Sequence, residues 1–480
     1  MSRLVCLRWC CCVLLLLQAS LARADLPQLL TAFERAGIPL QHVSIMAQGV
    51  QEDAPPLLAF NEQTPQVLAS TTKLLTSLVA LDVLGPKFAW QTRAYALGTI
   101  QAGVLHGDLL IVGGGDARLS SKELVDWFQT LQKKKGLKEI HGNIVVHQGL
   151  FQTQAQDHAG TPTPSADNPH HAWPEAFMVD EGVIRVAIAG NTQGLQVSYQ
   201  PALDGVVLEQ QVLLSKRRCG AIQHPVGVVF DDQSEPPRLR LEGEWAPGCL
   251  PKQLTLATPP GSRFSALAVA AAWRASGGLL TGASYQRVDA TGPVIPKGLK
   301  PLGTLSSPTL GQLLRSMNKV SDNLMARHLM LSWSKGFPAR PATIKEARKR
   351  FVQWRQKLGL SAEDVSVDNG SGLSRGERAR PSTMTNLLRT AWRSTWGKTL
   401  FDSLPVAGQD GTLANRMTRS VARGNAFLKT GTLSDVRALA GYVRGNSGQI
   451  YAVTLLVNDP RADKALQAMD GLIEWIITNG

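Results

Sequence analysis

The order of the periodic segments constrains this chain more than any other feature. Val43 to Val50 and Pro56 to Phe60 have the length and composition of short strands, and an apolar run that opens at Ser70 keeps helical periodicity to Leu84, where Gly85-Pro86 ends it. The C-terminal end mirrors that start. NAFLKTGTLS, VRALAGYV and QIYAVTLLVN are three strands at hairpin spacing, and DKALQAMDGLIEWIITNG follows as an amphipathic helix. Two strands and a helix at one end, with three strands and a helix at the other, predict one antiparallel sheet flanked by helices and interrupted by a long insertion, an α/β (α+β) class.

The insertion has its own texture. From about residue 92 the chain reads as short strand-like pieces, LHGDLLIVGGGD and KEIHGNIVVHQGLF, then a Pro/His/Asp-rich loop over 161–174 and further strand patterns over 183–256. Helical periodicity returns at Ser265 to Ser276 and at Leu310 to Trp333, and no internal repeat is evident. A chain of 480 residues, 44% hydrophobic, is long enough for two or three cores.

The first 24 residues combine Arg3 and Arg8 with the apolar stretch Val13 to Leu17 and end on Ala22-Arg23-Ala24, the layout of a cleavable secretory signal. Cleavage near Ala24 and export are therefore expected, and no later run is long and apolar enough to span a bilayer. Of six cysteines, Cys6, Cys10, Cys11 and Cys12 leave with that signal. Cys219 and Cys249 remain, and an oxidising compartment favours a disulfide between them over two free thiols. Closing a loop of this size stabilises a fold by about 3 kcal/mol. The formal charge of +13 falls to +10 without Arg3, Arg8 and Arg23 (47 basic against 37 acidic residues). Such a charge suits acidic wall polymers and peripheral contact with anionic lipid, or reflects a generally solvated basic surface. No nucleic-acid motif accompanies it.

Ser70 and Lys73 pose the functional question. Ser70-Thr71-Thr72 is a good helix start on capping grounds alone, and S-x-x-K also occurs at Ser316-Lys319 and Ser332-Lys335, so the motif by itself is weak. Position separates the first copy: residues i and i+3 share a helix face, and a helix N-terminus offers free amides beside Ser70. A lysine one turn on accepts the serine proton if a nearby cation lowers its pKa. Downstream, Ser321-Asp322-Asn323 lies within SMNKVSDNLMARHL, and Lys429-Thr430-Gly431-Thr432 lies in a strand expected beside the Ser70 helix. Each element is common, and S-x-N recurs at Ser316-Met317-Asn318. The ordered set S-x-x-K, S-D-N, K-T-G is specific.

With these motifs the sequence resembles the penicillin-recognising serine enzymes, and more narrowly the D-alanyl-D-alanine carboxypeptidase/endopeptidase family of low-molecular-mass penicillin-binding proteins. The narrower likeness is carried by ASTTKLLTSLVALDVLG, GDLLIVGGGD, the Cys219 and Cys249 pair, MNKVSDNLMARHL, DNGSGLSR (368 to 375) and LKTGT. The resemblance implies a transpeptidase/beta-lactamase-like catalytic domain over 25–92 and 290–480. Two nested, largely β domains would interrupt it, one over 93–172 and 257–289 and the other over 173–256. It also implies a division of labour. Ser70 attacks the peptide carbonyl between two D-alanines, Lys73 acts as base, Ser321 relays the proton to the leaving amine, and Asn323 orients Lys73 and the substrate amide. Lys429, Thr430 and Thr432 hold the terminal carboxylate, Gly431 lets substrate lie against the strand, and the backbone N–H groups of Ser70 and Thr432 form the oxyanion hole. Peptidoglycan peptides and beta-lactam antibiotics are the implied ligands. No cofactor and no metal is required.

Other features have plainer readings. VGGGD (112 to 116) lacks the lysine of a phosphate loop and reads as a tight turn. His141, His147, His158, His170 and His171 crowd one region without regular ligand spacing and read as loop histidines. DNGSGLSR has turn composition, with Ser371 and Arg375 as candidates for substrate contact. GNIVVHQGLF carries His147 and Gln148 where relatives tend to be acidic. That insert is thought to recognise the cationic diaminopimelate stem in the family. Two rival functions are a beta-lactamase and a non-catalytic wall-binding scaffold. The first needs a glutamate with asparagine four positions on, which Glu346, Glu363 and Glu377 all lack, and the second is disfavoured by three intact motifs.

Overall fold

The computed structural model describes residues 26–154, 157, 172–191, 194–246, 249, 251–287 and 295–480. The expected leader, most of the 161–174 loop, His158, His170 and His171 lie outside them. Two compact units emerge: one runs to Phe88 and resumes over Thr309–Trp333 and Arg348–Gly480, and the other comprises Ala89–Pro308 and Ser334–Ala347.

The first unit opens with a helix, α1, over 26–35. β1 (Val43–Gly49), β2 (Pro56–Phe60), the short β3 (Gln66–Val67) and α2 (Thr72–Val83) follow. α2 is buried from Thr72 through Leu81, so it shows no polar stripe: a helix covered on every side has no reason to alternate.

The second unit contains β4 (Gln91–Gln101), β5 (Val104–Val112), α3 (Ser121–Lys135), β6 (Glu139–His141) and β7 (Ile144–His147). It continues with β8 (Val183–Asn191), β9 (Gly194–Gln200), β10 (Val207–Leu214), β11 (Gly227–Asp231), β12 (Arg238–Trp245) and β13 (Lys252–Ala257). The last elements are α4 (Phe264–Ala275), β14 (Leu279–Leu280), β15 (Ser284–Arg287) and β16 (Gly303–Ser306). β4–β7 and β14–β16 share one seven-stranded sheet, while β8–β13 form two three-stranded sheets, β13-β8-β9 and β10-β12-β11. The strand-rich reading of this region omits α3, although its start carries a capping box between Ser120 and Glu123 and its end a left-handed Gly136. α3 buries Leu124, Trp127, Phe128 and Leu131, and Phe128 meets Trp273 of α4 edge-on at 5.4 Å. Cys219 and Cys249 are joined by a disulfide.

The chain returns through α5 (Leu310–Val320), α6 (Asn323–Ser332), α7 (Ile344–Lys357), β17 (Val365–Ser366), β18 (Arg378–Ala379), α8 (Pro381–Arg393) and α9 (Gly397–Ser403). It ends with β19 (Ala426–Leu433), β20 (Val436–Arg444), β21 (Ile450–Asn458) and α10 (Leu466–Asn479). The expected antiparallel sheet is present, in the order β19-β20-β21-β1-β2, and Val43 opposite Val457 begins the seam between its two halves. α10 buries Met469, Leu472, Ile473, Ile476 and Ile477, an i, i+3, i+4 stripe, in one core with Phe33 of α1 and Ile45, Val453 and Leu455 of the sheet. Thr385 of α8 donates 2.9 Å to the Thr454 hydroxyl on β21. One expectation is corrected. Leu310 to Trp333 is not a continuous helix but breaks after Val320, where Ser321 takes a left-handed conformation (φ 64°, ψ 42°) and the Asp322 carboxylate caps α6 by accepting from Met325 N–H at 3.0 Å.

Candidate active site

Ser70 lies in a single 3-10 turn, Ala69–Thr71, immediately before α2. The turn is tied at its entry, because Leu68 N–H donates 3.0 Å to the Glu377 carbonyl and the Thr71 hydroxyl donates 2.6 Å to the Leu68 carbonyl. The capping role that composition allowed to Ser70 is not taken up: neither the turn nor α2 has a side-chain N-cap. The Ser70 hydroxyl instead stands 3.1 Å from Lys73 Nζ.

Lys73 is buried, and its ammonium end meets three oxygen atoms: Ser70 Oγ, Asn323 Oδ1 at 2.6 Å and the Ser371 carbonyl at 2.5 Å. Burial is the main cause that lowers its pKa to about 7. Asp322 and Glu377 oppose that shift, and Arg327 adds to it. Desolvation, and not the neighbouring cation expected from sequence, does most of this work.

The break between α5 and α6 brings Ser321 and Asn323 to the same place. Lys429 Nζ on β19 donates 2.9 Å to Ser321 Oγ and 2.8 Å to the Thr430 carbonyl. Lys429 is itself buried, and its pKa is held well below the ordinary lysine value by burial first and by the charge of Lys73 second. Gly431 is required for contact between strand and turn, since a Cβ there would lie 2.8 Å from the Leu68 carbonyl oxygen and 3.2 Å from Ala69 Cβ. Thr430 donates 2.8 Å to the Thr412 hydroxyl, and Thr432 is exposed. All five residues proposed from sequence for catalysis thus gather in one unit, with the three proposed for substrate binding on the adjoining strand.

The competing motif copies take structural roles. Asn318 is buried and donates to the hydroxyls of Ser77 (3.2 Å) and Ser403 (2.9 Å), and Ser332 donates within its own helix to the His328 carbonyl (2.7 Å). In the second unit His141 and His147 are not loop histidines: His141 lies on β6 and pairs with Glu139 at 2.7 Å, and His147 is buried on β7, where its Nδ1 accepts from Gly149 N–H. Gln148 donates to Glu175 (3.2 Å) and to the Phe177 carbonyl (2.9 Å). The Asp116 carboxylate of VGGGD accepts from Arg118 N–H at 2.9 Å. Among the described residues no three His, Cys, Asp or Glu side chains gather as a metal site.

Sequence reasoning passed over Glu377, whose buried carboxylate accepts from the backbone N–H groups of Asp368 (3.2 Å), Asn369 (3.0 Å), Gly370 (2.7 Å) and Gly372 (2.6 Å). The signal available was the G-S-G spacing at 370–372: both glycines have positive φ, and a turn that tight exposes amides needing an acceptor. Arg375 spans from this loop to Asp435 and Ser434 in the β19–β20 turn. A nucleophile within reach of a buried amine, that amine oriented by an amide and a carbonyl, and a second lysine on a second serine make a constellation suited to acyl transfer.

Comparison with known proteins agrees with this geometry. The model of the D-Ala-D-Ala carboxypeptidase 3 (S13) family matches residues 27–478. The chain is 26% identical over 407 residues to the D-alanyl-D-alanine carboxypeptidase DacB of Haemophilus influenzae, covering 83% of this chain and 82% of that protein. It is 27% identical over 426 residues to the D-alanyl-D-alanine carboxypeptidase of Actinomadura sp. strain R39, covering 84% and 75% respectively. In fold it resembles the crystal structure of penicillin binding protein 4 (dacB) from Haemophilus influenzae, with a TM-score of 0.75 at 23% identity over 94% of this chain and 99% of that one.

Proposed function

This chain belongs to the D-Ala-D-Ala carboxypeptidase 3 (S13) family, and from that premise we propose how its residues carry out serine-type D-Ala-D-Ala carboxypeptidase chemistry on peptidoglycan stem peptides. Ser70 Oγ attacks the carbonyl between the two D-alanines as its proton passes to Lys73. The tetrahedral oxyanion rests on the backbone N–H groups of Ser70 and Thr432, each donor contributing about 3 kcal/mol. The C–N bond then breaks, and the leaving amine takes its proton through Ser321. Water hydrolyses the Ser70 ester in a second step and restores the free hydroxyl. Lys429, with Thr430 and Thr432, attracts the terminal carboxylate, Gly431 leaves room for the peptide against β19, and Asn323 orients Lys73. Cleavage of a D-alanyl cross-link is the same acyl transfer with a larger leaving amine, so endopeptidase action falls within the same site.

One observation carries the reading: Lys73 Nζ touches both Ser70 and Asn323 while Lys429 touches Ser321, so three motifs far apart in sequence converge on one reaction centre. A β-lactam carries a strained carbonyl and a carboxylate at comparable positions and would acylate Ser70. Its leaving group stays tethered, so the adduct should last minutes against a usual turnover of about ten per second. Intact-protein mass spectrometry after removal of excess penicillin tests this, together with release of D-alanine from a D-Ala-D-Ala pentapeptide. Ser70→Ala should give neither adduct nor product. Loss of the wild-type adduct within seconds would favour a beta-lactamase, and no adduct at all would favour a wall-binding scaffold.

The same reading places the protein in the periplasm after removal of residues 1–24, with its positive charge facing acidic wall polymers or anionic lipid. It also divides the insertion into a part over 93–172 and 257–289 and a part over 173–256. That division is supported by the separation of the seven-stranded sheet from the two sheets of β8–β13.

A further inference from the structure

Resting on the acyl-transfer reading, we propose that Glu377 is a positioning residue for the general base: it fixes the Ser371 carbonyl that, with Asn323, aims the Lys73 lone pair at Ser70. A neutral amine has two N–H bonds and one lone pair. Lys73 Nζ has three oxygen neighbours, of which the Ser371 carbonyl can only accept and Asn323 presents its amide oxygen. With both N–H bonds directed to those two acceptors, the lone pair is left facing the Ser70 hydroxyl at 3.1 Å. When Ser70 attacks, its O–H bond breaks and the proton joins the lone pair. The resulting ammonium then donates to all three oxygens without moving.

The Ser371 carbonyl is useful only if it stays in place, and four sets of contacts hold the loop that bears it. Four of its backbone N–H groups converge on the Glu377 carboxylate, at 3.2, 3.0, 2.7 and 2.6 Å. Thr76 of α2 donates 2.6 Å to the Gly370 carbonyl. The Asn369 side-chain oxygen accepts from both the Ser371 N–H (3.0 Å) and the Ser371 hydroxyl (2.5 Å). Gly372, in a left-handed conformation, packs so tightly on the Ser70 turn that a Cβ would stand 2.1 Å from the Ala69 carbonyl oxygen. Four N–H donors on two oxygens suit a carboxylate: an amide at this position would set its NH2 against at least one of them.

Glu377 also acts by charge. The charged groups bearing on Lys73 are Asp322 and Arg327 from α6, Glu377 from the loop and Lys429 from β19. Those bearing on Glu377 include Asp368 and Arg327. Lys73 works as base when neutral, so acylation rises with pH as Lys73 loses its proton. Burial pushes the Glu377 carboxyl up, while the N–H groups of Gly370, Asn369 and Asp368 favour its anion; that anion raises the Lys73 pKa, and its removal moves the limb to lower pH.

The test uses the full chain and stopped-flow labelling with a fluorescent penicillin across pH, alongside kcat and KM on the pentapeptide. Glu377→Gln should acylate about tenfold more slowly, with KM little changed and the rising limb displaced to lower pH. Thr76→Val loosens the same loop without altering charge and should slow acylation about threefold with the limb unmoved. Wild-type rates and an unmoved limb in folded Glu377→Gln would overturn the inference. Should that variant not fold, a wild-type rate in Thr76→Val would overturn it instead. Labelled wild type with unaffected variants sinks this inference alone; wild type that takes no label on Ser70 sinks the acyl-transfer reading and this with it.

Discussion

Burial shifts ionisable groups in both units, with different consequences. In the catalytic unit, burial strips water from Lys73 and Lys429 and favours the neutral amine, with the Lys73 pKa brought down to about 7. It also pushes the Glu377 carboxyl up there, against the pull of the backbone N–H groups that bind it, and in the inserted unit it raises the buried Asp116 to about 6 and the half-buried Glu175 to about 7. One force acts in both units, but what surrounds the neutral form differs. Lys73 has the Ser70 hydroxyl within reach, so under the proposed mechanism its reluctance to hold a proton becomes chemistry. The Glu175 carboxylate meets Gly261 N–H (3.1 Å) and Gln148 Nε2 (3.2 Å), and Asp116 meets Arg118 N–H, so their shifts become a pH dependence of stability. A perturbed pKa marks a reaction centre only when the favoured protonation state faces a group it can act on.

The sharpest way to break this contrast is Lys429→Ala. It removes the donor to Ser321 and the proposed carboxylate partner, and acylation of Ser70 by penicillin should slow by more than about tenfold. An unchanged rate would place Lys429 outside the chemistry and leave its burial as a matter of packing alone. Next in size is the disulfide. Reducing Cys219–Cys249 should cost up to about 3 kcal/mol of stability while leaving the labelling rate unchanged. Slower labelling in step with the stability loss would mean that the insertion supports the site. The smallest effect is on melting. Asp116 and Glu175 have folded pKa values above their ordinary ones, so their contribution to stability is complete below pH 4 and is lost as pH rises through about 6 and 7. The melting temperature should fall by a few degrees between pH 5 and 8, a trend that Asp116→Asn should flatten without touching acylation. A slope unaltered by that substitution would assign the dependence elsewhere.

Much of the catalytic unit was legible because its information is local. The strands of the sheet announce themselves by run length, and the S-x-x-K motif needs only one helix turn to place Ser70 and Lys73 on a common face. The rest depends on distant chain. The break at Ser321 is invisible in the helical periodicity of 310–333, because a left-handed serine leaves no pattern and its position is stabilised by Lys429 from another element. Glu377 reads as one more charged residue after a turn until the loop folds back on it. The lowered pKa of Lys73 required the burial of α2, a property of everything packed around that helix. α3 is the opposite case: its capping box and apolar stripe were present, but strand-like neighbours dominated the reading.

The seam between β1 and β21 ties the appearance of activity to the order in which the chain folds. β1 can pair with β2 at once, but its other edge waits for Ile450–Asn458, the last strand among the described residues. Closing contacts across so long a separation is slow, and the inserted sheets, whose pairings are nearer in sequence, have time to form first. Lys429, on β19, likewise joins the sheet through β20 and β21 and depends on the same closure. A chain truncated before Ile450 therefore carries Ser70 without the strand that closes this sheet, and the proposed nucleophile lacks that support until β21 has docked.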